Sequence, residues 1–263
     1  MATPTNVTYK LTYDKFLLFG DSITEYSYSP LPLYPTGHTT TPEFNFGGYL
    51  TDIYTRKLAV TQRGYAGYNS EQARVLYPKI LDIEHTKDSK VLFSTIFFGT
   101  NDATMGDSAQ SVELERYEEN MRFIIQTALD RDIKVVVFGP GFHDPERWSI
   151  RLTEVDIAGG RFRSNESNKI YSDKLQQVCE ELKVPFVCLY DMFVAYEGDW
   201  KKDLLTDGIH FTGKGYQLMT DGLMKAIKEN YPELLPEALP MILPPWRELV
   251  TTEELPGVIE NAN

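Results

Sequence analysis

Five short, mostly apolar runs punctuate the chain, at 15–19, 58–62, 91–98, 134–138 and 186–189. Several are apolar at successive rather than alternate positions, the pattern of parallel strands covered by helices on both faces. Longer stretches at 47–57, 70–83, 110–130, 162–182 and 214–229 lie between them and read as helices. Within 110–130, Leu114, Tyr117, Met121, Ile124, Ile125 and Leu129 recur at helical spacing, which gathers them on one face as core. The alternation predicts an α/β fold: a three-layer α/β/α sandwich of flavodoxin-like type around a parallel sheet of about five strands. In such sheets ligands gather at the carboxyl ends of the strands.

Two segments break the rhythm. The stretch 26–46 is a long loop rich in proline, threonine and aromatic residues, and loops of that length are often functional. The stretch 232–245 holds five prolines and leads into Trp246. Its apolar side chains require a surface, on this chain or on a partner. The loop and the residues 241–246 are candidates for a pocket rim, and the extension from 232 onward is equally a candidate homodimer contact. No repeat or low-complexity tract divides the chain, so 1–263 reads as one domain carrying that extension.

Charge narrows the partners. A formal net charge of −12 repels phosphate backbones and anionic lipid headgroups, which argues against nucleic acid and membrane surfaces. No apolar run approaches the ~18 residues of a membrane span, and the opening Met1-Ala-Thr-Pro-Thr5 begins no secretory signal. A cytoplasmic location is expected. Cys179 and Cys188, the two cysteines, make neither a zinc site nor a disulfide framework.

The tripeptide Gly-Asp-Ser occurs at 20–22 and again at 106–108. Ser22 directly follows the apolar Phe16-Leu-Leu-Phe19, past a strand's carboxyl end and at a helix start, where backbone N–H groups favour negative charge. Ser108 lies farther from its strand and precedes Glu113 and Glu115, a setting that predicts a helix cap. A nucleophilic serine needs a base, most often a neutral imidazole. Of four histidines, His38 lies in the long loop, His85 among charged residues, and His143 after a Gly-Pro-Gly turn. His210 stands three residues after Asp207, a spacing that lets the carboxylate hold Nδ1–H and leaves Nε2 for a serine. Acyl chemistry also needs oxyanion donors. Gly67 follows the second strand and Asn101 the third, although each is also ordinary turn chemistry. Competing motifs fail: there is no Gly-x-Ser-x-Gly, no His-Glu-x-x-His and no Gly-x-Gly-x-x-Gly, and Gly215 replaces the hydroxyl residue of a P-loop.

Four blocks in order, Gly20-Asp-Ser-Ile23, Arg63-Gly-Tyr-Ala-Gly67, Gly99-Thr-Asn-Asp102 and Asp207-Gly-Ile-His210, resemble those of the GDSL or SGNH hydrolases. The longer strings 15–25, 138–141 and 204–216, and the tail at Trp246-Arg247, resemble the fungal isoamyl acetate-hydrolysing esterases. Gln62 stands where the second block often opens with Asn. The resemblance implies an SGNH-hydrolase fold and a carboxylic ester hydrolase acting on small apolar esters, such as acetates of short-chain alcohols. It assigns Ser22 as nucleophile, His210 as base and Asp207 as its orienter. The oxyanion donors it implies are the N–H groups of Ser22 and Gly67 and the Asn101 side chain, with no metal or organic cofactor. Acyl transfer to alcohols, deacetylation of a sugar or protein, and a binding module with a vestigial triad remain as alternatives.

Overall fold

The computed structural model of the protein describes residues 10–32, 41–243 and 245–248, together with 252 and 259. Its five-stranded sheet consists of β1 (Lys15–Gly20), β2 (Ala59–Gly64), β3 (Val91–Phe97), β4 (Lys134–Gly139) and β5 (Phe186–Cys188). The strands lie in the order β2-β1-β3-β4-β5, every pair parallel. Among the described residues the helices are α1 (Ser22–Glu25), α2 (Phe46–Ile53), α3 (Ser70–Glu84), α4 (Leu114–Leu129), α5 (Pro145–Ser149) and α6 (Glu154–Ala158). They continue with α7 (Asn165–Leu182), α8 (Leu189–Val194), α9 (Trp200–Asp203) and α10 (Gly213–Asn230).

Successive side chains of a strand point to opposite faces, and here both faces are covered. Phe16 and Leu18 of β1 pack with Leu50 of α2, Tyr54 at its carboxyl end, Phe193 of α8 and Met219 and Leu223 of α10. Leu17 and Phe19 pack on the other side with Tyr77 of α3, Met121 and Ile125 of α4 and Leu175 of α7. Residues 16–19 are therefore 0% exposed, which is why the run shows no alternation. Phe16 stacks on Phe93 at 3.7 Å between ring centroids, and Phe19 on Tyr77 at 4.5 Å. Each such fully buried side chain contributes roughly 1.5–3 kcal/mol over an exposed one. The three-layer arrangement read from the sequence is the one observed.

Element ends differ from the sequence reading where tertiary contacts take over. The helix expected from 110 begins at Leu114, because the Val112 N–H donates to Asp102 O and the Gln110 side chain reaches Gly67 O. Ser108 caps a local turn instead, its Oγ accepting the Gln110 N–H at 3.2 Å. The helix expected from 162 begins at Asn165, with Ser164 Oγ accepting the Ser167 N–H. That leaves Phe162 and Arg163 outside the helix. The short helices α5, α6 and α9 carried too few periodic positions to be foreseen.

The proline-rich extension finds its surface on its own chain. Tyr54 donates to Leu234 O at 2.9 Å, Arg56 to Ile242 O and Leu243 O, and Lys57 to Pro236 O, so residues 234–243 lie along the carboxyl end of α2. Trp246 is 74% exposed.

One glycine ties the sheet to α1. A Cβ on Gly64, at the end of β2, would overlap the backbone N and Cα of Glu25 and the carbonyl carbon of Thr24. Backbone cannot swing aside as a side chain can, so Gly64→Ala should displace α1 and cost at least about 2 kcal/mol. Denaturant unfolding checks this: an unchanged midpoint would show that the approach is looser than described.

Candidate active site

The first three strands end side by side, with Gly20 of β1 in register with Gly64 of β2 and Phe97 of β3. The loops that follow must share one edge of the sheet. After Gly20 the chain turns at once into α1, with Asp21 Oδ1 accepting the Ile23 N–H at 2.9 Å as the cap. Ser22 is the first residue of α1, so its N–H has no acceptor within the helix. It is buried to 8% exposure, and its Oγ lies 2.8 Å from His210 Nε2.

His210 comes from a tight loop closed by an antiparallel bridge between Leu205 and Phe211, with the Thr206 N–H donating to His210 O at 2.8 Å. Asp207 folds back within it. Its Oδ1 accepts the N–H groups of Ile209 and His210 at 3.1 and 3.0 Å, and its Oδ2 lies 2.8 Å from His210 Nδ1. An ionised carboxylate only accepts, so Nδ1 carries a proton and Nε2 faces the Ser22 hydroxyl. Burial works to raise the Asp207 carboxyl, but the hydrogen bond and charge of His210 and the two backbone N–H groups outweigh it and hold it at about 2. The half-exposed Arg151 guanidinium approaches Asp207 Oδ2 at 3.1 Å. The Tyr26 ring meets the imidazole edge to face, 5.2 Å between centroids.

Gly67 adopts φ +79°, a left-handed conformation open to glycine, and no hydrogen bond among the described residues takes its N–H. Asn101, in the loop after β3, donates from Nδ2 to Tyr68 O at 2.8 Å and accepts the Arg163 guanidinium on Oδ1 at 3.0 Å. Ser22, Ala66, Gly67, Asn101, Trp148 and Ile209 help to line a cleft of about 130 Å³. Beyond Tyr26 and His210 a second cavity of about 150 Å³ is lined by Ser29, Pro32, Phe211 and Tyr216. The root of the long loop thus reaches the site, whereas residues 33–40, with His38, lie outside the described residues. The described residues of 241–246 line neither cavity.

Ser22, Gly67, Asn101, Asp207 and His210 are therefore brought together, and Ser108 is not. His143 is buried with both ring nitrogens unpartnered; burial and the nearby Arg163 push it down to about 4, so it stays neutral. Four residues at the site had no signal in the sequence: Gln110, Trp148, Arg151 and Arg163. Gln110 and Arg163 stand at the starts of expected helices and Trp148 and Arg151 outside any expected element, places where such side chains look like surface. Among the described residues no three His, Cys, Asp or Glu side chains converge as a metal site needs, and no helix is long and apolar enough to cross a membrane.

Comparison with known proteins finds relatives that span most of the chain. The profile of the GDSL-like Lipase/Acylhydrolase family matches residues 18–218. The isoamyl acetate-hydrolyzing esterase of Saccharomyces cerevisiae is 40% identical over 240 residues, covering 91% of this chain and 97% of that protein. The human isoamyl acetate-hydrolyzing esterase 1 homolog is 27% identical over 91% of this chain and 89% of its own. The crystal structure of a lipase/acylhydrolase from Enterococcus faecalis superposes with a TM-score of 0.59 at 25% identity, over 82% of this chain and 96% of that one.

Asp21 sets a pH dependence of stability. Complete burial outweighs the Ile23 N–H bond and pushes its carboxyl from 3.8 to about 7, and its Oδ2 has no hydrogen-bond partner. Between those values the unfolded chain is ionised while the folded one holds the proton, so stability falls as pH rises through that window. Asp21→Asn keeps the cap acceptor and removes the titration. Its stability relative to the parent should rise from about pH 4 to about pH 8, by at most about 4 kcal/mol. Denaturant unfolding at both pH values measures it; a constant difference would place Asp21 in contact with water.

Proposed function

We propose, for a chain that belongs to the GDSL-like lipase/acylhydrolase family and is a carboxylic ester hydrolase, that it works as a serine esterase through Ser22, His210 and Asp207. The observation that carries this reading is the unbroken hydrogen-bond chain from Asp207 Oδ2 through both imidazole nitrogens to Ser22 Oγ, 2.8 Å at each link, at the mouth of a cleft. His210 Nε2 takes the hydroxyl proton as Oγ attacks the ester carbonyl carbon. The tetrahedral oxyanion accepts from the N–H groups of Ser22 and Gly67 and from Asn101 Nδ2, donors fixed in place before the charge develops. The imidazolium, stabilised by Asp207, protonates the leaving alkoxide oxygen. Alcohol departs and the acyl group remains on Oγ. Water, deprotonated by His210, then attacks the acyl carbon; the acyl–Oγ bond breaks, His210 returns the proton to Ser22 Oγ and the carboxylic acid leaves.

The substrates proposed are small apolar esters, with acetates of short-chain alcohols foremost. A cleft of about 130 Å³ suits a short acyl group, and Tyr26, Trp148 and Ile209 give it apolar walls. Isoamyl acetate hydrolysis by the Saccharomyces cerevisiae relative points the same way. No organic cofactor enters the reaction.

Turnover of p-nitrophenyl acetate separates the two Gly-Asp-Ser serines. Ser22→Ala should lose on the order of 10³-fold or more in kcat, while Ser108→Ala keeps it. Full activity in Ser22→Ala would reject the mechanism. Rates with acetates of lengthening alcohols, set against ethyl esters of lengthening acids, test the substrate class; a preference for long acids would reject it.

A further inference from the structure

We propose that Arg163 is a positioning residue that aims the oxyanion donors: a single buried guanidinium fixes both the amide of Asn101 and the loop that carries Gly67. The proposal rests on the reading of Asn101 and Gly67 as oxyanion donors. Arg163 lies in none of the four sequence blocks and precedes Ser164, the cap of α7.

Arg163 is 8% exposed and spends its donors on one side of the cleft. It donates to Thr100 O, to Asn101 Oδ1 at 3.0 Å and to Gln110 Oε1 at 3.0 Å. A guanidinium has donors and no acceptor, so every amide that meets it must turn its oxygen inward. For Asn101 this decides which end faces the reaction. With Oδ1 on Arg163, Nδ2 faces away, one N–H on Tyr68 O at 2.8 Å and the second left for the cleft. A flipped amide would set an acceptor beside the developing negative charge and an N–H against the guanidinium.

The second arm works the same way. Gln110 Oε1 on Arg163 turns Nε2 to Gly67 O, 2.9 Å away. The two amides thus hold consecutive carbonyls, those of Gly67 and Tyr68, and pin the left-handed turn whose N–H faces the cleft. Burial lowers the Arg163 guanidinium to about 10, which leaves it charged at neutral pH. The Trp148 ring covers it, 5.6 Å from centroid to Cζ. A lysine would keep the charge and lose the planar fork that serves three acceptors at once.

The test is a double-mutant cycle on folded protein, read as kcat and KM for p-nitrophenyl acetate. Arg163→Met should lower kcat on the order of 10²-fold with KM within about twofold, because the donors act on the transition state. In an Asn101→Ala background the same change should cost at least about tenfold less, because one arm is already gone. Arg163→Lys should recover folding without recovering kcat. Equal losses in both backgrounds, a loss confined to KM, or full rescue by lysine would each overturn the proposal. Should Arg163→Met not fold, Gln110→Ala breaks the Gly67 arm alone and should lower kcat about tenfold; unchanged kcat there overturns it as well. Asn101→Ala separately tests the reading beneath: wild-type kcat in that variant would remove Asn101 as a donor, whatever Arg163 does.

Discussion

The parallel pairing of β1 between β2 and β3 is the constraint on which the site depends. Because Gly20 is level with Gly64 on one side and Phe97 on the other, the chain leaves the sheet three times within a few ångströms along one edge. Parallel strands lie under 5 Å apart, so the serine after β1, the glycine turn after β2 and the asparagine after β3 have nowhere else to go. Register is in turn enforced by the core. A slip of one residue would exchange Phe16 and Leu18 with Leu17 and Phe19, between a face built by α2 and α10 and one built by α3 and α4.

Electrostatics then differentiate carboxyl groups that share the same burial. Asp207 receives two backbone N–H groups and an imidazole and stays ionised far below neutrality. Asp21 receives one N–H, keeps one oxygen bare, and is pushed up to about 7. Asp102 has a bare oxygen too and rises to about 6 despite its bonds from Ser70. A direct hydrogen bond from an imidazole, which Asp21 and Asp102 lack, separates the ionised orienter from two carboxyls whose proton affinity burial raises. Arg163, buried among them, supplies the balancing charge.

The aromatic loop is fastened to the same machinery. The Glu43 N–H donates to Pro30 O at 2.8 Å, closing the loop's base, and Glu43 Oε2 accepts the Gly213 N–H at the start of α10. Gly213 is three residues past His210, so the loop root and the imidazole are anchored to one segment. This places Tyr26, Ser29 and Pro32 along the cavity beyond His210. The proline-rich extension turned away from the cleft because Tyr54, Arg56 and Lys57, just past α2, offered donors to its carbonyl oxygens.

Sequence alone determined the layer order, the strands and the pairing of Asp207 with His210, because each follows from local pattern: buried runs for strands, a helical stripe for α4, and an Asp–His spacing that closes on itself within one loop. Gly67 and Asn101 were assigned as donors only by the family resemblance. The second Gly-Asp-Ser was separable from the first by the same local means, since an apolar strand leads directly only into Ser22. Element ends were not legible where a distant partner competes with the helix, as Gly67 does for Gln110 and the Asn101 loop does for Arg163. Arg151, Trp148 and Arg163 were decided by tertiary structure alone. Their partners lie about 15–60 residues away or farther, and a guanidinium buried against carbonyl oxygens is spelled in sequence exactly as one at the surface is: its environment, not its neighbours in the chain, makes it part of the site.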